Sequence, residues 1–579
     1  MTDGIWICDD QPSERFPVWT RGNAGEVFVE VASPITWSLL GRKALEPAWR
    51  EAFCHMGVFT PDEFKPAGQP EVCACFGGYV YINQSVTRVM AVRVPGLTVE
   101  AMDRSLFGDD PEVPPYRPDP HDANPARTAA AGAWLQSLFT GDPGGQVAQE
   151  GRALDAFLEH RPDLTARSDR ELLVWLRSHA AMMGQLFRRH VLVTYGANVL
   201  VSVTGQLCQA AGASEQFARV TVTEAEVESA SPTLALWTLS RSVRAAPSLM
   251  AQFDRGVEGL LERLRTSADP AAGALLREWQ GFIAHWGFVG PSVWDYRSPT
   301  YASDPHLALG LLDRAREAPD TADPVRRAQA LQAARTQAVE AVAARLAADP
   351  AARGQFLGAV QAASAHLTAR EAAKTLCARL IDEGRRTLRE LGGRLVSRGV
   401  LGRWQEVLMV LDEEFDDFLA DPAAFGGPIA ERAARFTLLQ SKEPPFVFEG
   451  APPPLSAFLD RAGAGASWPV ARPGETLSGL GVSAGRHTGR ARIVASLDAV
   501  AALQPGEVMV AVITDSSWGP LFMEAGAVVV ETGAAISHAA IVARELGIPA
   551  VVSVAGATRR IREGATVTVD GSTGTVTVH

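Results

Sequence analysis

One histidine of this chain stands where an imidazole could do chemistry. The segment ETGAAISHAAIVARELGIP, residues 531–549, puts His538 between a glycine turn and the first turn of a short helix. Ser537 is a favourable N-cap, Ala539 to Leu546 are strong helix formers, Gly547 suits the C′ position and Pro549 forbids continuation, so a helix of about two turns is predicted to begin at His538. A helix N-terminus presents unpaired N–H groups and a partial positive charge, which would hold an anion carried on the ring, with help from the Ser537 and Thr532 hydroxyls. A phosphoryl group is the obvious anion. Neutral imidazole is nucleophilic near pH 7, and Gly533 allows close backbone approach in the preceding turn. On position alone the other reading stays open, that a lone histidine at a helix start is a cap or a half-buried residue. The segment has no second His, Cys or carboxylate at ligand spacing, so no metal site is expected.

The elements that must hold this residue follow from the texture of the sequence. From 476 to 579 the pattern is short strand, turn, helix, strand (RARIVA, EVMVAVI, AVVVE, PAVVSV, ATVTVD, TVTVH), which predicts one small α/β domain. Residues 446–475, with EPPFVFEGAPPPL and RAGAGASWPVARPGETLSG, read as a Pro/Gly/Ala-rich linker region. Before it, residues 1–445 are expected to form one domain. Its first part, 1–125, mixes α and β, with apolar runs such as EVFVEVA and GGYVYINQSV, and ends in the proline-rich DDPEVPPYRPDPHDANPA. Its larger part, 126–445, repeats apolar residues at helical spacing, as in ELLVWLRSHAAMMGQLF and AQALQAARTQAVEAVAARLAA. The fold class expected is therefore multidomain: a large, mostly α-helical domain with an N-terminal α+β portion, then a small α/β domain.

With 579 residues, 47% hydrophobic and 21% charged, the chain has ample core material. A net charge of −12 with dispersed Lys and Arg argues against a nucleic-acid surface. The first residues carry acids and a proline where a signal peptide needs a basic region and an apolar run, and no run of eighteen apolar residues occurs; no membrane association and a cytoplasmic location are expected. Cys8, Cys54, Cys73, Cys75, Cys208 and Cys377 make no disulfide or zinc framework and are expected to be packed, reduced thiols.

The string TGAAISHAAIVARELGIPAVV resembles the phosphohistidine signature of the PEP-utilizing enzymes, the family of pyruvate phosphate dikinase, PEP synthase and rifampin phosphotransferase. The likeness extends upstream to TDSSWGPLFMEAGAVVVE and GVSAGRHTGRARIV, similar to the strands and loop of that family's swivelling domain; Ala534 and Ser516 depart from its usual glycine and proline. The resemblance implies that His538 is the phosphorylated residue, surrounded by Thr532, Gly533, Ser537 and Arg544, on a domain that swings. GNAGEVFVEVASPITWSL, FGGYVYIN, VPGLTVEAMDRSLFG and RRTLRELGGRLVSRGVLGRWQEVLMVLDEEF resemble parts of the rifampin phosphotransferase substrate region. In HWGFVGPSVWDYRSPTYASDP, Trp286, Val293, Thr300 and Tyr301 replace positions that are charged or aromatic in relatives, which implies a less ionic pocket. His285, Trp286 and Asp295 are the pocket candidates, with His285 or Asp295 as acceptor of a hydroxyl proton.

No GxxxxGK[ST] loop occurs in these residues, and the resemblance covers neither an ATP-grasp domain nor a PEP barrel. In arrangement the chain resembles the larger subunit of two-subunit systems such as phenylphosphate synthase. That implies a separate ATP-grasp polypeptide, which holds ATP and magnesium and charges His538, and a small apolar or aromatic hydroxyl compound as acceptor. The alternative is a non-catalytic phosphohistidine relay or ligand-sensing regulatory protein.

Overall fold

Four short antiparallel strands tie the two ends of the large domain together. Their order is Cys73–Phe76, Tyr79–Asn83, Val18–Thr20, Val447–Glu449. The computed structural model describes residues 5–66, 68–107, 113–223, 231–320, 323–461, 468–494, 503–514, 518–534 and 537–579. Gly77 and Gly78, with φ of 58° and 84°, make the two-residue hairpin turn that positive φ requires. The last strand corrects one expectation. Part of the presumed linker is sheet: Trp19 pairs with Phe448, whose ring packs edge-on against Phe76 and Tyr81 at 5.3 and 5.1 Å. Burial of that one aromatic outweighs the Pro-rich composition around it. Residues 462–467 of the linker, and Ser516, lie outside the described residues.

In EVFVEVA, residues 26–32, Glu26 and Val27 close the four-residue helix Ala24–Val27 and the remainder is irregular backbone. The buried Arg21 guanidinium takes the carbonyls of Phe28, Val29 and Val80 as partners, and satisfying a buried cation draws this chain inward rather than into a ladder.

Two long helices form the body: Asp169–Ala210, started by a Ser168/Glu171 capping box, and Pro350–Ser397, capped by Asp349 with proline at N1. Leu172, Leu176, Met183, Leu186 and Leu200 on the first meet Leu367, Ile381 and Leu388 on the second in one core that includes the N-terminal sheet. The helix Asp169–Ala210 is long and apolar enough to cross a membrane, but 61% of its most apolar window is buried inside the body, which marks it as a core helix. Helices between 231 and 317 close around a separate core that contains Trp279, Phe282, Trp286, Tyr301 and Leu312. All six cysteines are free; Cys8, Cys73 and Cys75 are buried, and burial pushes their thiols well above the ordinary range.

The C-terminal sheet has eight strands among the described residues. Arg486–Ile493, Val508–Ala511, Ala527–Val530 and Ala550–Val552 run parallel at its centre, with Leu480–Ser483 antiparallel at one flank and Thr566–Asp570, Thr575–Val578 and Thr476–Ser478 antiparallel at the other. Side chains alternate cleanly between faces: Met509, Ala511, Val528 and Val530 enter one core, and Val508, Val510, Ala527 and Val529 the other. The architecture is thus a helical body with an N-terminal α+β portion and a small α/β domain.

Candidate functional site

The helix His538–Leu546 forms as its sequence requires. Ser537, in extended backbone, accepts from the Ala540 N–H at 3.3 Å, and Gly547 ends the helix in the left-handed region at φ 63°. Ala539, Ala540, Val542, Ala543 and Leu546 press its inner face on the sheet. Gly533 has no room for a side chain: an added Cβ would lie 3.0 Å from Val552 Cβ and 3.1 Å from Ser537 Oγ. The Thr532 N–H is used on the Val512 carbonyl, and Arg544 donates from Nε to the Val482 carbonyl at 2.6 Å, tying the helix to the strand Leu480–Ser483.

His538 itself is 4% exposed. Its Nδ1 lies 3.3 Å from Thr514 Oγ1, and the Phe522 ring stands perpendicular to it at 6.0 Å. Nε2 is sealed from solvent and has no partner among the described residues. Burial, and then the charges of Lys374 and Arg370, hold its pKa well below the ordinary value, so the ring is neutral at pH 7. In the tautomer that donates Nδ1–H to the Thr514 oxygen, the lone pair is on Nε2. The other histidines of this domain are engaged: His487 Nε2 with the Gly506 carbonyl at 2.8 Å, His579 Nε2 with Thr568 Oγ1 at 2.7 Å.

The small domain is seated on the body with this helix inward. Ile541 joins the body core, and the His538 N–H donates to Glu26 Oε2 at 3.4 Å. Around the rim, Thr223 donates to Glu545 from its N–H and from Oγ1 at 2.9 Å, Arg314 pairs with Glu524 and reaches the Leu503 carbonyl, and Arg559 pairs with Glu443 at 2.6 Å. Arg370 and Lys374 come from the helix Pro350–Ser397, where Arg370 also pairs with the buried Glu371. Burial raises the Glu26 carboxyl to about 7 against the pull of Arg370 and Lys374. Glu545 is raised to about 7 for the same first reason, with its Thr223 hydrogen bonds opposing.

Next to this junction the body holds a cavity of about 250 Å³, and Ala534 of the small domain is part of its lining. Phe28, Trp37, Trp49, Phe187, Tyr195 and Trp294 give it aromatic walls; His190, Thr194, Asn198 and Ser202 form a polar row along one helix. The structure corrects the three sequence-derived pocket candidates. His285 is exposed on the helix Pro270–Trp286, and Trp286 is packed in the separate helical core. Asp295 is buried and committed: it accepts from the Ser33 N–H at 2.9 Å and from the Arg297 N–H at 2.7 Å. None of the three lines the cavity, whereas Trp294 does. The residues that sequence reasoning missed are Glu26, His190, Arg370 and Lys374. A signal existed for one pair: in HLTAREAAKTLC, Arg370 and Glu371 interrupt an Ala-rich stretch, and both are buried.

Residues 503–574 match the family described as PEP-utilising enzyme, mobile domain, and residues 190–384 match rifampicin phosphotransferase fourth domain. The chain is similar to an uncharacterized protein of Mycobacterium tuberculosis, 35% identical over 323 residues, 55% of this chain and 33% of that protein. It is similar to the prodigiosin synthesizing transferase PigC of Serratia marcescens, 31% identical over 361 residues, 60% of this chain and 38% of the relative. A rifampicin phosphotransferase of Streptomyces sviceus is 35% identical over 185 residues, 32% of this chain and 20% of its own. The chain spans about a third of the length of the first of these relatives. The segment similar to the PEP-utilising mobile domain contains His538, and the segment similar to the rifampicin phosphotransferase fourth domain contains His190, Arg370 and Lys374.

Proposed function

We propose that this chain is a phosphotransferase unit in which His538 carries a phosphoryl group to a hydroxyl of a small apolar or aromatic molecule held in the body cavity. The phosphoryl group comes from ATP, bound with magnesium on an ATP-grasp polypeptide separate from these residues. The observation that carries the reading is the docked imidazole: neutral, with an unpartnered Nε2, beside two cations and an aromatic-walled cavity. Lys374 and Arg370 supply the positive charge that a transferring phosphoryl group needs, in a site closed to water. The cavity walls suit an uncharged ring system better than a carboxylate, for which they offer no Lys or Arg. Two of the relatives, a rifampicin phosphotransferase and a prodigiosin synthesizing transferase, accord by name with this class of acceptor. The cavity at the junction, which Ala534 of the small domain helps to line, also favours transfer over a relay that senses without phosphorylating.

The test is incubation with a candidate ATP-grasp partner and γ- or β-labelled ATP, followed by intact-protein mass spectrometry. An acid-labile, alkali-stable phosphoramidate on His538 is expected, and its label should pass to phenols and cyclic alcohols in preference to pyruvate or sugar acids. Label on a serine would end the carrier reading; preference for the carboxylates would end the acceptor reading alone.

A further inference from the structure

The short helix Ala24–Val27 stands between the cavity and the histidine. Ala24 and Val27 line the cavity, while Glu26 turns to the docked helix, where Oε2 accepts the His538 N–H and Oε1 has no partner among the described residues. A buried carboxyl with an idle oxygen costs desolvation without return, unless something arrives to use it. Among the described residues the charges that act on it most strongly are on the helix Pro350–Ser397, Arg370 and Lys374 attracting and Glu371 repelling; the ring of His538, whose N–H it accepts, is neutral. Glu371 is no rival for the role, because it is buried in its ion pair with Arg370. Asp295 is engaged with Ser33 and Arg297, and His190 is held to about 3 by burial, too weak a base near neutrality.

We propose that Glu26 takes the proton of the acceptor hydroxyl during transfer, a role that rests on His538 being the carrier. As the hydroxyl oxygen attacks phosphorus, an O–P bond forms and the P–Nε2 bond breaks. The bonding pair returns to Nε2, Nδ1–H stays on Thr514, and the hydroxyl proton goes to Glu26 Oε1, which releases it to water once the domain undocks. A carboxyl raised to about 7 suits a proton acceptor here, being ionised often enough to accept and basic enough to compete. Ionisation also has a structural signature. Because the docked carboxyl has the higher pKa, docking is fully supported below the free value of 4.5 and weakens as pH rises through 7.

The experiment uses Glu26→Gln and Glu26→Asp in the whole chain. With His538 charged by the ATP-grasp partner and 1-naphthol as acceptor, labelling of His538 should be unchanged in Glu26→Gln. Single-turnover transfer should fall by roughly 30-fold and lose its rise near pH 7, with Glu26→Asp restoring part of both. Protection factors for hydrogen exchange in 538–546, corrected for the intrinsic pH dependence and read on the uncharged protein, should fall as pH rises through 7 in the wild type and stay flat in Glu26→Gln. A wild-type protein whose His538 never labels defeats the carrier reading instead, and the exchange profile still judges the titration of Glu26. Wild-type transfer rates and pH profile in Glu26→Gln, or an exchange profile that the variant leaves unchanged, would overturn the proposal.

Discussion

His538, buried, and His190, half-buried in the cavity wall, are both neutral imidazoles that feel Arg370 and Lys374, yet the two regions that hold them work by different means. His538 opens a nine-residue helix; its cap, its turn glycine and its stop are neighbours in sequence, and Thr514 fixes one nitrogen while leaving the other idle. His190 lies inside a 42-residue helix, with Phe187 and Trp294 rings at 5.9 and 6.1 Å, and feels the charges of Arg370 and Lys374 from a helix far along the chain. One is set by local rules, the other by tertiary packing. The lesson is physical: an imidazole at a helix start is positioned by its own segment, whereas one in a cavity wall can borrow its position from its surroundings.

The largest expected effect separates the two histidines. His538→Ala should abolish both labelling and transfer, while His190→Gln should leave labelling intact and reduce only the transfer step; equal losses in both would erase the contrast. Next come the cations. Lys374→Met or Arg370→Met should lower transfer by roughly 100-fold, through lost electrostatic stabilisation, with His538 labelling by the partner retained; mass spectrometry of the charged protein and a transfer time course decide this.

A smaller effect should follow from filling the cavity. Ala24→Leu should raise the apparent KM for 1-naphthol by roughly tenfold, with labelling unaffected, since bulk there meets the acceptor and not the carrier. Smaller again is the rim. Glu545 is protonated up to about 7 when docked and only to about 4.5 when free, so its share of the docking, roughly 1–3 kcal/mol, is lost as pH rises across that window. In Glu545→Gln that part of the decline should vanish, seen as a flatter pH dependence of Tm in a thermal scan. His285→Ala should change transfer less than twofold, because an exposed side chain outside the cavity has no route to the chemistry.

What could be read in advance follows the same division. The helix start at His538, its Ser537 cap and its Gly547 stop obey rules that reach four residues at most, and so do the strands around them. The HWGFVGPSVWDYRSPTY segment misled because its polar and aromatic residues are shared between two cores: Trp286 and Tyr301 belong to one, Trp294 and Tyr296 to the other. Composition cannot say which of two adjacent tryptophan-bearing turns faces a cavity. Glu26 was invisible for a related reason. EVFVEVA does not by itself distinguish a strand from a short helix, and the buried Arg21 that takes the Phe28 carbonyl is a tertiary feature.

The strand Val447–Glu449 has a consequence for the leash on the carrier. It returns the chain to the N-terminal sheet, and about a dozen residues later Arg461 is moored to Glu30 at 3.1 Å, while Arg560 of the small domain lies over the Trp468 ring. Between these two moorings the about seven residue steps can stretch to no more than roughly 25 Å. Under the proposed function, so short a connection would keep the imidazole at a high local concentration over the body cavity and would limit how far His538 could travel to meet a donor.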